Sequence, residues 1–123
     1  LNKEMLEYCE FNNWYYGTPI SCLKEDAINI GVLNITGIKN LIEDERIFVY
    51  PIELKAPNKI RLLRQLNREF EPNCDEIIRR YKADNEDFKN IPFPYFSVDS
   101  TRALWQIGKQ VTKEIKLAYN NWK

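Results

Sequence analysis

The sequence predicts a mainly α fold: a single domain over residues 1–123, built from five to six helices with one short edge β-strand or hairpin. Three observations carry this expectation. Apolar residues recur at spacings of three and four through most of the chain, the period of a helix that buries one face. Proline, glycine and capping residues fall where those stretches would begin and end. The strongest strand signal is 46–54, RIFVYPIEL, rich in β-branched and aromatic residues.

The elements follow in order. Residues 1–16 place Leu1, Met5, Tyr8, Cys9, Tyr15 and Tyr16 on one arc of a helical wheel, so a first amphipathic helix is expected, closed by Gly17. Thr18-Pro19 then offers a capping oxygen and a proline at the first helical position, where its missing N–H costs nothing. A second helix over 19–29 follows, although 28–35, INIGVLNI, is β-branched enough to be a strand instead. Thr36-Gly37 opens a short helix through IKNLI to about Glu43, and EDER turns the chain. In the strand 46–54, Pro51 lacks a donor for a sheet ladder and therefore points to an edge.

From Pro57 onward the pattern is helical. Over 58–70, Ile60, Leu62, Leu63, Leu66 and Phe70 share one side, while Arg61, Arg64 and Arg68 share the other. Asn73 caps the next helix, with Glu76 at capping-box spacing and Ile77, Ile78, Tyr81 and Phe88 on its apolar face. The run NIPFPYFSVDST at 90–101 is held extended by its two prolines, with Ile91, Phe93 and Phe96 packed inward and Tyr95 left outside. Ser97 or Asp99 caps the last and longest helix, which carries Leu104, Ile107, Val111, Ile115, Ala118 and Trp122 as a stripe. Lys109, Lys113 and Lys116 lie opposite that stripe, with Trp105 beside them.

Composition narrows the function classes. The chain contains no histidine, which removes Ser-His and Cys-His nucleophile activation and imidazole metal ligation. It has no phosphate loop and no dinucleotide fingerprint, so no cofactor and no metal are expected, and a non-enzymatic role is favoured. Cys9, Cys22 and Cys74 are odd in number, share no C-x-x-C spacing and sit in apolar patterns, as buried thiols in a reducing compartment would. No apolar run approaches the roughly 20 residues that span a bilayer, and no signal peptide opens the chain, so a membrane is not an expected partner and the expected location is intracellular, cytoplasmic or nuclear. The first residue is Leu1, from which the chain is expected to be part of a longer protein. Charge is lopsided. Residues 1–58 hold five Lys and Arg against nine Asp and Glu, a net of −4, and 59–123 hold thirteen against nine, a net of +4. Such asymmetry favours an oriented encounter with a charged partner.

Three functional readings compete. The leading one is a protein-interaction module of a larger protein, binding another protein or another domain of the parent chain through Trp105, Tyr95, Phe93, Trp14 and Tyr15, aromatic residues of the type enriched at binding hot spots. Each also has a core reading, and Trp105, off the apolar stripe, is the one least absorbed by it. The second is a nucleic-acid-binding domain. Arg61, Arg64 and Arg68 on one helix and Arg79, Arg80 and Lys82 on the next are spaced to follow successive phosphates, or else form ordinary solvated helix faces. The third starts from Glu53-x-Lys55 at the end of the strand, which resembles over three residues the E-x-K of metal-dependent nucleases of the PD-(D/E)xK type. That resemblance implies Mg²⁺ held by Glu53 beside an activating Lys55, with an upstream acid such as Asp26 or Asp44, since Asn34 stands where an aspartate would help. Finally, three helices followed by RIFVY resemble a winged-helix order. The recognition helix would be GIKNLIEDE, acidic enough to repel DNA, so this resemblance implies a protein-binding version.

Overall fold

The computed structural model describes the backbone of residues 5–11, 14–19, 23–24 and 27–122, and side chains at 23–24 and 27–121. The chain divides into two compact units, Leu1–Val49 and Tyr50–Lys123.

The first unit departs from expectation at once. In place of a helix over 1–16 it forms an antiparallel pair, β1 (Met5–Phe11) and β2 (Trp14–Pro19), with Cys9 opposite Tyr16 and Phe11 opposite Trp14. The physical reason lies in composition: Tyr8, Phe11, Trp14, Tyr15 and Tyr16 are strand formers, and the two runs are separated by just Asn12-Asn13, a hairpin spacing. The second predicted helix is also corrected. Pro19 ends β2, residues 23–24 and 27–34 are irregular, and the rest of 19–29 lies outside the described residues. INIGVLNI is accordingly neither helix nor strand before Ile35, and Ile28, Ile30 and Val32 stand exposed.

The short helix does form, as α1 (Ile35–Ile42), lying against β1. Its cap is not Thr36 but Asn34, whose Oδ1 accepts from Gly37 N–H at 2.7 Å. Gly37 and Leu41 are buried. The strand–strand–helix order of this unit excludes the winged-helix arrangement. Just past α1, Asp44 accepts from the Arg46 guanidinium and backbone, which holds its carboxyl down at about 2.

The second unit runs β3 (Ile52–Lys55), α2 (Asn58–Arg68), α3 (Cys74–Asp87), β4 (Phe96–Asp99) and α4 (Leu104–Trp122). β3 and β4 are parallel, Leu54 opposite Val98 and Lys55 opposite Asp99. A parallel pair needs a crossover, and α2 and α3, packed on each other, provide it. The predicted strand over 46–54 shrinks to four residues because the ladder starts at Pro51, which contributes only its carbonyl, to Phe96 N–H. Ser100 closes the ladder, with its N–H and hydroxyl both donating to Lys55 O at 2.9 and 3.0 Å.

The described residues thus hold four helices, not five or six, with two two-stranded sheets; the fold remains mainly α. The second strand of the parallel pair is the element unforeseen in this unit, so Ser97 and Asp99 belong to β4 and neither caps α4. Instead Ala103 O accepts the first helical bond, and Gln106 Oε1 accepts from Ala103 N–H. The side-chain core of this unit is thin: Val98 is fully buried, Ile77 nearly so, and Ser100 is the buried polar residue. No described helix is long and apolar enough to cross a membrane.

Candidate functional site

α4 presents two unlike faces. Ile107, Val111, Ile115 and Ala118 are half-buried, as the stripe predicts, and this side also carries Glu114, which accepts from the Tyr50 hydroxyl at 3.4 Å. Burial, then the Glu114 carboxylate, raises the Tyr50 phenol above its ordinary value. At 100° per residue, Trp105, Lys109, Lys113 and Lys116 fall within roughly 80° of arc on the opposite side. All four are exposed. Trp105 keeps 69% of its surface open, and Leu104, expected in the buried stripe, keeps 85% because it sits in the first turn where no described residue covers it. Trp122, the last member of the stripe, has its side chain outside the described residues.

Gly108 follows Trp105 at i+3, about 60° round the helix from it on the side away from Lys109. A methyl group there would meet nothing within 4 Å, so the helix backbone is bare one turn below the indole. Gly108, Lys109, Thr112, Lys113, Lys116, Leu117 and Asn120 line a shallow groove of about 520 Å³ along this face. Sequence reading placed Trp105 beside the lysines; it did not anticipate the exposure of Leu104 or the open space at Gly108.

The remaining aromatic candidates are dispersed. Tyr95 is exposed and Phe93 half-buried, in the extended lead into β4. Trp14 and Tyr15 lie on β2, and their side chains lie outside the described residues. Cys74, expected buried, is exposed at the first position of α3; the Cys9 side chain and Cys22 lie outside the described residues.

The arginines are mostly engaged within the fold. Arg61 bridges α2 to α3, donating to Asn58 and Asn85 with its guanidinium over the Tyr81 ring at 5.3 Å. Arg64 donates to Ser100 O at 2.7 Å. Arg79 and Arg80 both pair with Glu76, Arg79 foremost, holding that carboxyl down at about 2. Asn73 caps α3 as expected, accepting from Glu76 N–H at 3.1 Å, but the Glu76 carboxylate turns to the arginines. Arg68 and Lys82 are exposed.

At the sheet end, Glu53 is half-buried and Lys55 exposed. Asp99, the register partner of Lys55, accepts from the Thr101 hydroxyl and N–H, which lowers its carboxyl. Of the upstream acids, Asp44 holds Arg46 and Asp26 lies outside the described residues. Among the described residues no group of three or more Cys, Asp or Glu side chains is placed to hold a metal ion. The chain matches no protein-family model, no curated protein and no solved structure.

Proposed function

We propose that this chain is a non-enzymatic protein-interaction module that takes its partner on the outward face of α4, with Trp105 as the anchor. The observation that supports it is the exposure of Trp105 on that face. A tryptophan left mostly in water on a helix surface forgoes burial that a partner would recover, at about 25 cal/mol per Å². Tryptophan is also the residue type most enriched at hot spots. A binding surface built on the arginines has less support, since four of its six cations already serve hydrogen bonds or ion pairs inside the fold.

The test is a photo-crosslinking amino acid placed at position 105, and separately at Lys82, with the chain expressed in its own cell. An adduct at 105 that protease destroys and nuclease spares, and that is absent at 82, supports the reading. A nuclease-sensitive adduct, or equal adducts at both positions, sinks it.

A further inference from the structure

The outward face of α4 carries charge as well as rings, and the charge is of one sign. Lys109, Lys113 and Lys116 follow each other at i, i+4 and i+7, and among the described residues no carboxylate forms an ion pair with any of them. The helix has one acidic residue, Glu114, and it sits on the other side against Tyr50. Like charges three and four residues apart oppose helix formation. α3 shows the contrast within the same unit: there Arg79 and Arg80 are neutralised by Glu76 at the same spacings.

From this juxtaposition we propose that the partner of α4 is an acidic polypeptide segment, its carboxylates facing Lys109, Lys113 and Lys116 and one apolar side chain seated against Trp105 over the bare backbone at Gly108. The inference rests on the interaction reading and adds the chemistry of the occupant. Charge complementarity selects acidity, because a segment bearing two or three carboxylates relieves the lysine repulsion that the fold leaves uncompensated. The apolar surroundings select a polypeptide over a nucleic acid. Leu117, about 40° round the helix from Lys113, borders the lysine row and is exposed, and an aliphatic side chain there complements an apolar residue and offers nothing to phosphate. The notch at Gly108 lets a side chain approach the helix axis more closely than any other residue type would allow.

The test pans a random 12-residue peptide display library on the whole chain, in parallel with the triple variant K109E/K113E/K116E and with W105A, each confirmed folded by far-ultraviolet circular dichroism. The wild-type chain should select peptides rich in Asp and Glu around one aromatic or aliphatic residue, whereas the charge-reversed chain should select Lys and Arg. A selected acidic peptide, followed by fluorescence anisotropy, should lose about tenfold in affinity to K109Q/K113Q/K116Q, from three ion pairs of the exposed kind. Wild-type and reversed chains selecting the same peptides, with W105A still abolishing binding, would overturn the acidic partner and leave the Trp105 interaction reading standing. Selected peptides that bind W105A undiminished would overturn both. A fifteen-residue oligothymidylate that displaces the selected peptide and binds more tightly overturns the proposal in favour of nucleic acid.

Discussion

The Arg64 guanidinium, on the outward side of α2, donates to the carbonyl oxygen of Ser100 at 2.7 Å, tying the crossover helix to the residue that closes the parallel ladder. That ties a side chain expected to meet phosphate to a structural duty. Arg64→Gln is therefore expected to loosen the end of the β3–β4 pair by about 1 kcal/mol, the worth of a charged hydrogen bond discounted for partial exposure. Amide hydrogen exchange reads it directly. Protection of Ser100 N–H should fall about fivefold, while that of Leu41 in α1 should stay unchanged. Equal protection in the variant would assign Arg64 back to solvent. Arg68→Gln, on the same helix but without such a contact, serves as the control.

Leu54 and Val98 face each other in register, yet they stand in opposite environments: Val98 is fully buried and Leu54 is 58% exposed. Truncating the valine removes two methyl groups at about 0.8 kcal/mol each and leaves a cavity, so Val98→Ala is expected to cost about 2 kcal/mol. Leu54→Ala removes more carbon and should cost no more than about 0.5 kcal/mol. Urea denaturation of the two variants gives the comparison, and a larger loss for Leu54 would mean that the β3 face is covered.

Much of the second unit was legible because its signals are local. The helices over 58–68 and 74–87 follow from apolar spacing, Asn73 caps where its spacing says, and Pro51 marks the edge of a short sheet. β4 was not legible, because FSVD is too short to show a period and its pairing with IELK spans more than forty residues. The error at 1–16 has a different cause. Met5, Tyr8 and Cys9 satisfy a helical arc by chance, and the wheel outweighed the strand propensity of Tyr, Phe and Trp around Asn12-Asn13. Phe70 illustrates a boundary effect: it continues the apolar side of α2 on paper, but Glu69 is extended, and the ring falls past the helix into solvent. At the candidate site, the position of Trp105 off the stripe was readable from the sequence, whereas the internal duties of Arg61 and Arg64 depend on α3 and β4 and were not.

Glu76 gives α3 a pH dependence of defined sign. Its carboxyl falls from 4.5 to about 2 in the fold, chiefly through the Arg79 hydrogen bond, so the folded state favours the ionised form. A depressed folded value means that the contribution is complete above the unfolded value and is lost as pH falls. The wild-type thermal midpoint should therefore decline between about pH 5 and pH 2, and Glu76→Gln should flatten that part of the profile. Because all three side chains are exposed or nearly so, the difference should shrink at 1 M salt, where the screening length is about 3 Å. A profile unchanged by Glu76→Gln would show that other carboxylates govern acid stability.

Gly108 offers the sharpest separation between stability and binding. Glycine within a helix is less stable than alanine by about 0.5–1 kcal/mol, since the unfolded chain has more freedom to lose. At position 108 an added methyl group would enter open space, so no clash offsets that gain. Gly108→Ala is expected to stabilise α4 by about 0.5–1 kcal/mol, and Trp105→Ala, with its indole mostly in water, to stay within about 0.5 kcal/mol of the parent. Circular dichroism at 222 nm through a thermal transition measures both. On the proposed interaction reading, a glycine where alanine would be stabler, one turn from the exposed Trp105, leaves room for the approach of the partner. Gly108→Ala should therefore gain stability and lose partner affinity together, and a variant that gained both would end that account of the notch.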